Sequence, residues 1–214
     1  MRNLKLKIKP YSLWITYNMI NKHPIEEMLP PGMELAKIKV LEDNETPEHK
    51  LMFNCYNIDS MWMKGSRLEI MTIAKSDTNF HFVVLDCFTN TLQWDPVNRI
   101  RGPNGKFKFN YAQDRLNYEI ISKNKNVFSF TGDSRNLIRM TEDFAVKSNY
   151  DCFFRGSSVP ISLTFNENEI MLPVRKLDTV YLTNKLWDEY REEIPDNVFM
   201  HEHAMEFKTE MPFF

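Results

Sequence analysis

Apolar and polar residues alternate with period two along most of this chain, and that pattern limits the fold more than any other feature. In Met1-Arg-Asn-Leu-Lys-Leu-Lys-Ile-Lys-Pro10, Leu4, Leu6 and Ile8 alternate with Lys5, Lys7 and Lys9. Successive strand side chains point to opposite faces, so this segment reads as a strand with one wet face and one buried face. Comparable runs follow at Tyr11–Met19, Met33–Leu41, Leu51–Ile58, Arg67–Ala74 and Phe80–Phe88, the last two joined by a hairpin loop at Lys75–Asn79. Further strands are predicted near Lys106–Tyr111, Arg115–Ser122, Asn126–Thr131, Asp151–Arg155, Val159–Phe165, Glu169–Pro173, Lys176–Leu182 and Val198–Lys208. Sixteen Phe, eight Tyr and four Trp reinforce the β assignment, because flat rings suit a pleated, half-buried surface.

Helical signals are few. Pro24–Leu29 reads as a short helix with Pro24 in its first turn and Pro30-Pro31-Gly32 ending it. Thr141–Lys147 reads as helical or irregular. Asn184–Glu193 is the clearest helix, with Asn184 as cap and Leu186, Trp187, Tyr190 and Ile194 on one stripe. No linker, repeat or low-complexity tract divides the sequence. The expectation is one domain over residues 1–214, mainly β with two or three short helices, curled into a barrel or a folded-over sheet, either of which removes exposed strand edges.

Composition excludes several functions. A net charge of −2 with dispersed Lys and Arg lacks the local basic excess that nucleic acid needs. No segment approaches the roughly 20 apolar residues of a membrane span, and the first ten residues lack the continuous apolar run of a secretory signal, so none is expected. Cys55, Cys87 and Cys152 are odd in number and widely spaced, so they read as reduced, buried thiols in a cytoplasmic protein. Six glycines without G-x-G-x-x-G spacing argue against a nucleotide, and no cofactor is expected. A G-x-S-x-G nucleophile elbow is also missing. Thirteen Met suit an adaptable apolar interior or a pocket lining.

The order of segments carries a resemblance. A strand, a short helix and Leu29-Pro-Pro-Gly-Met-Glu-Leu35 are followed by Ser66-Arg-Leu-Glu-Ile-Met-Thr-Ile-Ala74, a hairpin and Phe80-His-Phe-Val-Val-Leu-Asp86. Met171-Leu-Pro-Val-Arg175 and Phe199-Met-His-Glu-His203 close the series. Together they resemble the acetoacetate-decarboxylase-like superfamily, in a branch lacking its Schiff-base lysine. The resemblance implies an antiparallel, cone-like β barrel with an internal pocket. In that family a loop lysine attacks a β-keto acid, beside a second lysine that lowers its pKa, because only the neutral amine is nucleophilic. Here the matching loop, Gln93–Gly105, has no lysine pair. Arg101, or else Arg99, falls at the reactive position, and a guanidinium cannot act as that amine. One family carboxylate position falls at Asn54 and the other near Arg67 or Glu69. Lys106 and Lys108 remain the substitutes that the strand alternation allows.

The residues themselves leave alternatives open. Arg67 and Glu69 share a strand face at i and i+2. There they either hold a carboxylate or carbonyl in a pocket, with Glu69 as acid or base, or form a solvated face or cross-strand ion pair. Arg99 and Arg101 either clamp an anion at the barrel mouth or are solvated loop residues. Trp94 is a lid or a core anchor. His201 and His203 can offer two metal ligands, with His81 as a third, or make a polar strand face; no metal is expected. The favoured function is a lyase-like enzyme acting on an organic acid or keto compound without the family lysine. Glu69 and Arg101 are its catalytic candidates, and Arg67, Arg99, Asn54 and Trp94 bind substrate. The alternative is a non-catalytic barrel that binds an apolar small molecule or a protein partner. A homo-oligomer is compatible with either.

Overall fold

The structure, a computed structural model, describes residues 2–41, 45–61, 63–77, 79–91, 104–141, 149–155, 157–165 and 174–211. Among these the chain forms fifteen strands. The first seven are β1 (Arg2–Ile8), β2 (Ser12–Asn18), β3 (Glu34–Leu35), β4 (Lys37–Ile38), β5 (Glu48–Asp59), β6 (Lys64–Ser76) and β7 (Asn79–Thr89). Then come β8 (Lys106–Ala112), β9 (Arg115–Ser122), β10 (Lys125–Ile138), β11 (Asn149–Phe154), β12 (Ile161–Phe165), β13 (Val174–Asn184), β14 (Asn197–His201) and β15 (Met205–Met211).

Strands β5, β6, β7, β11, β12, β15 and β1 pair in that order, and β1 returns to β5 through Ile8 and Ile58, which closes a ring. A second run, β2–β14–β13–β10–β9–β8, branches from the first half of β5. Alternation then sorts the side chains. On one face, Leu13, Ile15, Phe53, Leu68 and Ile70 pack with Leu116, Tyr118, Ile120, Phe128 and Phe130 of β9 and β10. The other face lines the barrel lumen. One apolar layer there contains Trp14, Met52, Met71, Val84 and Phe199, and another contains Ile8, Tyr56, Ile58, Met63, Met205 and Phe207.

The β8–β9 and β9–β10 hairpins turn on Gln113-Asp114 and Lys123-Asn124, each pair having two consecutive positive φ values between 49° and 60°. That is the two-residue geometry whose twist matches paired antiparallel strands, and Asn and Asp tolerate it well.

Several expectations need correction. The barrel is mixed rather than antiparallel, because β7 and β11 run parallel through Cys152–Phe82 and Phe154–Val84. Two or three helices are not seen: helical structure among the described residues is one turn, α1 (His23–Glu26), and a 3-10 turn at Asp188–Tyr190. The predicted helix at Asn184–Glu193 fails because Asn184 belongs to β13 and its Oδ1 accepts from the Leu186 N–H at 3.0 Å, a side-chain turn rather than a helix cap. Trp187 is left-handed (φ 56°), and Arg191 donates to the carbonyls of Asn184 and Leu186 at 2.9 and 3.2 Å, holding the loop in place. Leu186, Trp187 and Tyr190 still pack on the core, but Ile194 is exposed. The Met33–Leu41 run is split into β3 and β4, which pair with different strands. Val198–Lys208 is likewise divided, between β14 and β15. The pieces predicted at Thr141–Lys147 and Glu169–Pro173 fall mostly or wholly outside the described residues.

Candidate active site

Two neighbouring rows of side chains cross the lumen face at right angles to the strands. In the first, His201 on β14 pairs with Ser12 on β2. Ser12 lies one step beyond the Leu13–Cys55 pair and so stands opposite Tyr56 on β5. Tyr56 pairs with Arg67 on β6, and Arg67 with Thr89 on β7. In the second row Phe199, Trp14, Asn54, Glu69 and Cys87 follow one another in the same register. The expected face-sharing of Arg67 and Glu69 therefore holds, and the structure adds Asn54 directly beside Glu69.

Arg67 Nη1 donates to Glu69 Oε1 at 3.0 Å and to the Tyr56 hydroxyl at 3.3 Å, while Nη2 reaches Met63 Sδ at 3.4 Å. The pair is a buried ion pair, not a solvated face. Burial, then the neighbouring Glu69 carboxylate, raises the Tyr56 phenol well above its ordinary pKa, so it stays protonated and can donate. The Ser12 hydroxyl donates to Asn54 Oδ1 at 3.0 Å. Both rows are buried, and Ser12, Thr89, Cys87 and Phe199 within them keep 0–1% of their surface. Trp14, Asn54, Tyr56, Arg67, Glu69 and His201 keep 4–8% of their surface, whereas Leu13, Phe53, Cys55, Leu68 and Ile70 on the opposite face keep none. Cys152 also feels Glu69 and Arg67, and burial raises its thiol well above the usual range, leaving it an inert wall.

Lys106 and Lys108 do not reach the lumen: both are exposed on β8, and Lys108 pairs with Glu119 at 2.7 Å. Among the described residues the buried lysine is Lys50, at the far end of the lumen face of β5. It pairs with Asp196 and donates to Asn18 Oδ1 at 2.9 Å. Sequence inspection began that strand at Leu51 and so missed it; extending the alternation by one residue would have found it. Tyr56 was missed as well, although it stands two residues from Asn54 on the same face. His201 and His203 do not share a face, because the chain leaves β14 after His201 and His203 is exposed. Among the described residues no three His, Cys, Asp or Glu side chains are grouped to hold a metal. Trp94, Arg99 and Arg101 lie outside the described residues.

The chain has the acetoacetate-decarboxylase-like fold, a closed, mixed barrel. It is similar to the acetoacetate decarboxylase of Legionella pneumophila (11% identity, TM-score 0.58, covering 97% of this chain and 85% of that one). It is also similar to an acetoacetate decarboxylase-like enzyme of Sphingomonas wittichii RW1 (6% identity, TM-score 0.55, covering 99% and 94%). A third likeness is to the enduracididine biosynthesis enzyme MppR, solved with pyruvate (11% identity, TM-score 0.51, covering 97% and 87%). No known family description matches the sequence, and no curated protein is similar to it. Among the described residues no helix is long and apolar enough to cross a membrane.

Proposed function

We propose that the protein is an enzyme acting on a small organic acid or keto compound held in the barrel lumen, lyase-like in its chemistry but without the family's loop lysine. The observation that carries this is the Arg67–Glu69–Tyr56 cluster, set beside Asn54 and between two apolar layers. In such surroundings a guanidinium and a phenol hydroxyl are oriented before substrate arrives, and low polarity strengthens their hold on a developing negative charge. Arg67 and Asn54 polarise the carbonyl, and Glu69 takes or returns the proton. The sequence alone assigns anion anchoring to Arg101 and Arg99 and a substrate contact to Trp94. The pyruvate bound by MppR supports a ligand of this size and charge.

A second possibility, a non-catalytic barrel for an apolar ligand, draws on a specific feature. The layer next to the cluster is rich in Trp14, Met52, Met71, Met140 and Phe199, an adaptable apolar lining. Calorimetry with pyruvate, acetoacetate and the uncharged probe N-phenyl-1-naphthylamine separates the two, alongside intact mass after borohydride treatment with each keto acid. The enzyme proposal expects keto-acid binding that R67M weakens at least tenfold, and no reduced adduct. Binding of the uncharged probe alone would favour the carrier. An adduct mapped to Lys50 or another lysine would restore Schiff-base chemistry and overturn the mechanism.

A further inference from the structure

We propose that His201 is a second anchor of the same lumen, accepting or donating one hydrogen bond to an uncharged oxygen at the far end of the bound acid. The proposal deepens the function above and rests on it: in a 2-oxo acid the carbonyl that Arg67 polarises adjoins the carboxylate, so the one guanidinium meets both groups. His201 is 4% exposed, and among the described residues no group hydrogen-bonds its Nδ1. Buried polar atoms rarely go without a partner, so an imidazole nitrogen in this position suits an incoming ligand. Its surroundings fix its charge: Phe199 stands edge-on at 6.3 Å between ring centroids, Val174 and Ser12 flank it across the strands, and burial alone pushes its pKa down to about 4. A neutral imidazole has one donor and one acceptor nitrogen, which fits a hydroxyl or carbonyl rather than a second carboxylate.

Spacing narrows the ligand further. His201 and Arg67 occupy one row with Ser12 and Tyr56 between them, three strand intervals apart, or roughly 14 Å along the sheet. Even with long side chains leaning inward, a three-carbon acid cannot meet both. The stretch between them is bordered in the next row by Trp14 and Phe199, whose rings stack at 6.2 Å with 2° between their planes. The occupant that fits has a carboxylate at Arg67, a flat apolar body along Trp14 and Phe199, and a hydroxyl or carbonyl oxygen at His201.

The probes are 4-hydroxyphenylpyruvate, phenylpyruvate and pyruvate, titrated calorimetrically into the whole chain. Wild-type protein is expected to prefer the hydroxylated ring over phenylpyruvate by about fivefold to tenfold, the size of one hydrogen bond to a buried group. H201F should erase that preference, and H201N, which keeps a polar atom near the Nδ1 position, should restore part of it. R67M should weaken both aryl acids alike. Equal wild-type affinity for the two aryl acids, or a preference that survives H201F, overturns the role of His201 while leaving the lumen site standing. If R67M changes nothing, or if none of the three acids binds, the lumen assignment falls and this proposal falls with it.

Discussion

Removing either member of the Arg67–Glu69 pair takes its ion-pair partner from a charge buried between two apolar layers. R67A or E69A should therefore cost about 3–5 kcal/mol in urea denaturation. The double change R67M/E69L, which fills the volume without charge, should cost clearly less than either single change. A double mutant as unstable as the sum of the singles would mean that the two side chains are not coupled. His201 gives a pH dependence whose sign follows from its environment. Its ordinary pKa is near 6.5, and burial lowers it to about 4 in the folded chain. Between those values the unfolded chain binds the extra proton, so stability is complete above pH 6.5 and declines as pH falls toward 4. Relative to H201N, wild-type protein should lose about 2–3 kcal/mol between pH 7.5 and pH 4.5, measured by denaturation at both. Parallel profiles would show that His201 is not a buried neutral imidazole.

Strands were legible in the sequence because period two is a local property. Of the strands inferred from it, those that fall within the described residues are present, with shifted ends or divided in two. What alternation misses is register. Tyr56 meets Arg67, and His201 reaches the same row, only through pairing of β14 with β2 and of β2 with β5, between segments far apart in the chain. The false helix after Asn184 has a different cause: Leu186, Trp187 and Tyr190 do face the core, but the Asn184 side chain and the Arg191 guanidinium capture the backbone groups a helix would use. Arg191 also covers the Tyr17 ring at 4.1 Å, so R191M should cost about 2–4 kcal/mol by leaving its carbonyls without their donor. A loss below 0.5 kcal/mol would show that water replaces it. Gly65 tests the start of β6. At φ +139° it adopts a backbone that side chains avoid, and an added Cβ would meet Asn90 Oδ1 at 2.8 Å and Thr91 Cα at 2.9 Å. Asn90 Oδ1 also accepts from the Ser66 N–H at 2.6 Å, so it cannot move without releasing that bond. G65A should therefore destabilise by about 2 kcal/mol or more in the same assay.

The closed ring depends on β1. This strand pairs with β15 along seven positions, from Arg2–Met211 to Ile8–Met205, and meets β5 at Ile8–Ile58. Just beyond it, the Lys9 N–H donates to the Asn57 carbonyl at 2.8 Å. Leu6 and Ile8 also belong to the apolar layer that contains Tyr56 and Met63, both partners of Arg67. Removing residues 1–9 should thus act in two ways. It opens the ring, leaving one edge of β15 and the end of β5 without a partner, and open edges recruit other chains. It also thins the layer that shields the Arg67–Glu69 pair, where losing two large aliphatic side chains costs about 2–5 kcal/mol each. The shortened chain is expected to elute as dimers and larger species by light-scattering chromatography and to unfold at least about 4 kcal/mol more easily. The affinity for 4-hydroxyphenylpyruvate should fall with it, because water now reaches the guanidinium and weakens its hold on a carboxylate. A shortened chain that stays monomeric, stable and ligand-competent would show that β15 and β5 define the lumen without β1, and that closure is incidental to the site.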